Sequence, residues 1–162
     1  MATKNELIDN PVRQEVNITR IFDAPRELVF KMWTDPELLK TWWGPKGFTN
    51  PVCNFDVRAG GNIHVVMQGP DGTRYPMGGY YHEIIEPERI VFTSLKEDDE
   101  GNAEIEVHNT VTFSDENGKT RMTLHAVVMK STPEAVAAIQ GMNTGWNQSI
   151  DRFADLLASI NK

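Results

Sequence analysis

The sequence predicts an α+β fold in which a curved antiparallel sheet wraps one long C-terminal helix. Three observations predict it. Two helix-start signals, Asp23-Ala24-Pro25 and Thr34-Asp35-Pro36, come one after the other near the beginning of the chain. From Pro51 to Lys130 the pattern becomes short alternating runs separated by turn residues, the signature of a β-meander. After Thr132 a single apolar stripe recurs at steps of three and four, as on one face of a helix.

The elements are justified in chain order. Val16 to Phe22 alternates and reads as a strand. Asp23 is placed to cap a first short helix, with Pro25 and Glu27 in its opening turn and Leu28, Val29, Met32 and Trp33 on its apolar face. The second start signal leads into Leu38, Leu39, Trp42 and Trp43, and Gly44-Pro45-Lys46-Gly47 ends that helix. Six strands are then expected over Val52 to Val57, Ile63 to Gln68, Met77 to Glu86, Arg89 to Leu95, Glu104 to Ser114 and Thr120 to Met129. Asn117-Gly118 is a strong hairpin signal, because an Asn-Gly step suits a tight turn with positive φ. The acidic run from Lys96 to Gly101 reads as a solvated loop. The last helix is expected from Thr132 nearly to Lys162, with Ile139, Met142, Trp146, Ile150, Phe153, Leu157 and Ile160 in its stripe.

The 162 residues predict one domain over residues 1–162, long enough to bury a core and still enclose a pocket. A formal charge of -7 repels phosphate backbones, so nucleic acid is excluded as a partner. The single cysteine, Cys53, rules out an internal disulfide or a Cys-rich zinc site. It fits a reducing compartment, where it serves as a small buried residue. The polar start Met1 to Glu6 leads into no signal-peptide core, and no run is long enough to span a membrane. A cytoplasmic protein is expected.

Ile63, Val65 and Met67 on one strand, and Met122, Leu124, Ala126 and Val128 on another, should face the last helix. On that helix Gly141, Gly145 and Ser149 form a small-residue row, which leaves room beside the stripe unless a loop packs against it. Of Trp42 and Trp43, one indole should plug the core and the other gate a pocket mouth near Phe48. Tyr80 and Tyr81 point to opposite faces. His64 and His125 fall on the outward parity, and neither they nor His82 and His108 show metal-ligand spacing. Glu83 shares Tyr81's parity, so it is the ionisable candidate for the interior, with Arg58 or Arg89 as its partner. Gly60-Gly61 and Gly78-Gly79 sit in no phosphate-binding context and read as turns or bulges.

A set of phrases also resembles a known family. Ala24-Pro25-Arg26-Glu27-Leu28-Val29-Phe30, Trp33-Thr34-Asp35-Pro36-Glu37-Leu38-Leu39, Trp42-Trp43-Gly44-Pro45 and Asp56-Val57-Arg58-Ala59-Gly60-Gly61 carry the first part of it. Gly79 with Glu83 and Pro87, Arg89-Ile90-Val91-Phe92-Thr93, and Gly145-Trp146 with Phe153, Leu156 and Leu157 carry the rest. The chain is similar to bacterial stand-alone members of the activator of heat-shock protein 90 ATPase homologue family, within the START-like (SRPBCC) superfamily. The resemblance implies a helix-grip fold, with seven antiparallel strands gripping the C-terminal helix and two small helices closing one end. It also implies a cavity between helix and sheet of the kind that holds lipids, sterols or polyketides in that superfamily. The matching phrases mark scaffold positions and carry no catalytic residue.

Three functions are compatible with these readings. The first is non-catalytic binding of a small hydrophobic molecule, with Met67, Tyr81, Met142, Trp146 and Ile150 in the pocket wall and Trp43 and Phe48 near the mouth. The second is an enzyme of cyclase or hydrolase type in the same cavity, with Glu83 or an inward histidine as acid or base. The third is an interaction module that contacts a chaperone. No cofactor or metal is expected, and a homodimer is compatible with the sequence.

Overall fold

The structure is a computed structural model that describes residues 8–9, 14–98, 100 and 102–160. Met1 to Glu6, Asp99 and Gly101 of the acidic run, and the helix end at Lys162 lie outside those residues. The elements are β1 (Ile8–Asp9), β2 (Glu15–Phe22), α1 (Arg26–Thr34), α2 (Pro36–Trp42), β3 (Thr49–Phe55), β4 (Asn62–Gln68), β5 (Arg74–Ile85), β6 (Arg89–Glu97), β7 (Ala103–Glu116), β8 (Lys119–Ser131), a 3₁₀ turn (Pro133–Ala135), α3 (Val136–Gln140) and α4 (Met142–Ile160). The fold class is the expected one. Seven antiparallel strands run in the order β2-β8-β7-β6-β5-β4-β3, and the two-residue β1 pairs further along the same edge of β8. Only β1 has no counterpart among the strands expected from the sequence.

Where strands alternate, as β7 does from Ile105 to Phe113, one face is packed and the other is wet. On β7, Ile105, Val107, Val111 and Phe113 are buried, and on β8 Met122, Leu124, Ala126 and Val128 are buried, all on the face toward the helices. The β7–β8 hairpin closes at Asn117 and Gly118, with φ of 57° and 86°, and Glu116 pairs with Lys119 across it. Asp35 starts α2 by accepting a hydrogen bond from Glu37 N at 3.0 Å. The N-cap position of α1 falls on Pro25, two residues after Asp23.

The expected single terminal helix is two segments that meet at Gly141. In α4, Ile150, Phe153 and Leu157 are buried against the sheet, whereas Ile160 at its end is 42% exposed. Phe153 meets Phe22 at 5.1 Å and Trp42 at 5.0 Å between ring centroids, so strand, short helix and long helix share one aromatic core. Trp42 is fully buried and donates Nε1–H to Met32 O at 2.9 Å. Trp42 is therefore the indole that plugs.

Candidate functional site

The same helix is less tightly packed toward its start. Between the sheet and the segment from Ala138 to Ser149 lies a cleft of about 490 Å³, within the usual range of about 300–1,000 Å³ for small-molecule sites. Three parts of the chain line it. The loop after α2 contributes Trp43, Gly44, Pro45 and Phe48. The sheet contributes Met67, Tyr75, Pro76, Met77, Ser94, Lys96, Ile105 and Val107, and the helices contribute Ala138, Gly141, Met142, Gly145, Trp146 and Ser149.

The small-residue row lies along this cleft. A Cβ at Gly145 would stand 3.8 Å from Pro45 Cγ, and one at Gly141 would meet nothing nearer than its own helix's carbonyls. The loop thus borders the row at one point and leaves the rest of it open. Ser149 anchors that loop, because its hydroxyl accepts from Gly44 N at 3.2 Å and donates to Trp42 O at 3.0 Å. Arg152 anchors it further. Its guanidinium donates to the carbonyls of Thr41 at 2.8 Å, Gly44 at 2.9 Å, Pro45 at 3.1 Å and Trp43 at 3.2 Å. Burial holds the Arg152 pKa below its ordinary value.

Of the eight residues that the sequence singles out, Trp43, Phe48, Met67, Met142 and Trp146 border the cleft. Trp43 is a buried inner wall, 5% exposed, in edge contact with Trp146 at 5.5 Å. Trp146 stacks on Trp33 at 6.1 Å, and Phe48 leans on Tyr75 at 5.7 Å. Tyr81, Glu83 and Ile150 lie elsewhere. Tyr81 is buried against Phe92 at 6.1 Å, and that burial raises its hydroxyl pKa. Ile150 is wholly buried in the core and is not among the described residues that line the cleft.

Glu83 corrects the parity argument. Tyr81 pairs with Phe92 and Glu83 with the next residue, Val91, so β5 carries one extra residue at His82. A bulge of this kind reverses the facing of every later residue on its strand. Glu83 therefore turns outward, 42% exposed, and meets Arg89 Nε at 2.5 Å. His82 turns aside as well, with Nε2 at 2.7 Å from Thr93 Oγ1.

The sequence places Lys96 in the acidic loop, but β6 continues to Glu97. Lys96 thereby keeps the inward parity of Ile90, Phe92 and Ser94. It is the only charged side chain among the described residues that line the cleft. The continuing alternation Ile90, Phe92, Ser94 is the signal that could have placed it.

The chain matches the family model "Activator of Hsp90 ATPase homolog 1-like protein" over residues 23–158. It belongs to that family. Its fold is also similar to solved structures. A protein from Arthrobacter aurescens is 26% identical, with a TM-score of 0.78 over 97% of this chain and 93% of that one. A protein from Mycobacterium smegmatis is 26% identical, with a TM-score of 0.74 over 94% and 95% of the two chains. An AHSA1 protein from Silicibacter pomeroyi is 24% identical, with a TM-score of 0.76 over 89% and 97%. No curated protein matches the chain.

Elsewhere this member of the Activator of Hsp90 ATPase homolog 1-like family carries little reactive chemistry. A second, more polar concavity of about 430 Å³ lies among Pro36, Cys53, Asn54, Phe55, Asp56, Asn62 and His64. Burial pushes the Cys53 thiol up to about 11, which keeps it protonated and unreactive near neutral pH. His108, on the outer face, is lowered first by burial and then by the neighbouring His82 and His125. Among the described residues no group of three His, Cys, Asp or Glu side chains is arranged to hold a metal. Nor is any described helix long and apolar enough to cross a membrane.

Proposed function

We propose that this chain binds a small hydrophobic molecule (lipid, sterol or polyketide-like) in the cleft between sheet and C-terminal helix, without transforming it. One observation carries the reading. A largely apolar cleft of about 490 Å³ lies beside a closely packed aromatic core, so the space is confined to one end of the helix. Burying ligand surface there gains about 25 cal/mol per Å². Non-catalytic binding is supported by the described lining, whose ionisable side chains are Tyr75 and Lys96, with no carboxylate or histidine beside them to complete an acid–base pair. The exposed large apolar side chains Ile21, Tyr80, Met129, Val136 and Ile160 lie on five different elements, which favours a cleft over an apolar docking patch.

The test is a thermal-shift series with straight-chain alcohols from hexanol to decanol. Each buried methylene contributes about 0.8 kcal/mol, so affinity should rise roughly fourfold per carbon. Gly145→Leu puts a side chain into the cleft and should abolish the shift while the protein stays folded. No stabilisation by any alcohol, or equal stabilisation of Gly145→Leu, would refute the proposal.

A further inference from the structure

The cleft is not uniformly apolar. Tyr75 on β5 and Ser149 on α4 are polar, the latter engaged with Trp42 O and Gly44 N, and β6 adds Ser94 and Lys96, two residues apart on the inward face and roughly 7 Å along the strand. Lys96 Nζ donates to Glu104 Oε2 at 2.6 Å, and both side chains are about one-third exposed, at 36% and 31%. An ammonium has three N–H donors, and Glu104 accounts for one. Such a part-exposed pair holds its geometry weakly, so Lys96 keeps donors for a second acceptor, which then competes with Glu104 for the ammonium.

Ser94 is prepared in a different way. Asn109 is completely buried on the neighbouring strand, and its Nδ2 donates to Ser94 Oγ at 3.0 Å and to the carbonyls of Phe92 and Val107 at 3.3 Å. Ser94 Oγ is thereby fixed as an acceptor, and none of the described residues takes its hydroxyl hydrogen. Asn109 Oδ1 has no partner among the described residues either. A buried amide this incompletely satisfied is costly, and here it orients a hydroxyl on the wall of the cleft. The cleft therefore presents two donors on one strand and no carboxylate among its described lining side chains, with the indoles and methionines beyond them.

We propose that the molecule this cleft takes is an amphipathic acid, its carboxylate received by Lys96 Nζ and the Ser94 hydroxyl and its hydrocarbon laid against Met142, Trp146 and Trp43. This rests on the binding function proposed above and specifies the ligand's head. Lys96 sits at the wet rim, so the acid's charge stays partly solvated while its tail leaves water. Hydrogen bonds from an ammonium to a carboxylate are among the stronger ones available. An alcohol of the same length forgoes them, and an amine meets Lys96 as a like charge.

The experiment compares decanoate, 1-decanol and decylamine by calorimetric titration at pH 8 in the intact protein. Decanoate should bind at least tenfold more tightly than decanol, and decylamine more weakly than either. Lys96→Met should cancel the preference for decanoate and leave decanol unchanged. Glu104→Gln removes the competing carboxylate and should strengthen decanoate binding severalfold. Equal binding of decanoate and decanol, or an unaltered preference in Lys96→Met, would overturn the amphipathic-acid assignment while the cleft function stands. If none of the three binds, the binding function itself fails and this assignment with it.

Discussion

Arg152 holds the wall of the site from outside its lining. Four carbonyls of the turn after α2 converge on one guanidinium, whose planar set of donors suits several acceptors at once. One of them, Thr41 O, belongs to the last turn of α2, where carbonyls lack partners within the helix. Hydrogen bonds to a charged group contribute about 1.5–3 kcal/mol. Arg152→Ala should therefore lower the thermal midpoint by roughly 5–10 °C at this chain length and weaken ligand binding by releasing Trp43 and Pro45. Arg152→Lys should recover only part of the loss, since an ammonium cannot reach all four carbonyls. A midpoint unchanged in Arg152→Ala would show that the turn holds itself. None of this was legible in the sequence, where a charged residue beside an apolar stripe reads as a solvated face. Burial by a distant loop has no local signature. Trp43, Met142 and Trp146 were legible because large apolar residues at regular spacing leave few alternatives to the interior.

At the scale of elements, alternation predicts facing only while the register is regular. On β4, on β7 and on β8 as far as Ala126 it does so, and Ile63, Val65, Val111, Met122 and Leu124 are all buried. Beyond His82 on β5 it fails, because one inserted residue reverses every later side chain. Gly79 shows how closely that region is packed. Its φ is 154°, and a Cβ there would run into the carbonyl oxygen of Thr93 on β6. Gly79→Ala should cost more than about 1 kcal/mol, measured by denaturant unfolding, through displacement of β6 from β5. Gly60 also has positive φ, but a Cβ there meets no atom within 4 Å, so the smaller loss expected for Gly60→Ala isolates the steric part. Equal losses at the two glycines would remove the close-approach argument. The helix break at Gly141 belongs to the same scale. The periodicity runs straight through it, so the stripe alone could not reveal two segments.

Across the whole molecule, packing is uneven in a way that matters. The sheet and α4 are closely packed around Phe153, Trp42 and Phe22, and they part toward Trp146 and Met142. The architecture was legible because strand alternation, turn chemistry and helical periodicity all pointed to one arrangement. The open end was legible only as a row of small residues, since volume depends on how the turn at Pro45 settles against Gly145. The most direct measurement is a crystal structure of the protein grown with a terminally brominated decanol, read by the anomalous signal of bromine. A bromine peak in the cleft bordered by Trp43, Met142 and Trp146 is the predicted result. A cleft closed by side chains, with bromine absent or only on the outer surface, would contradict the account.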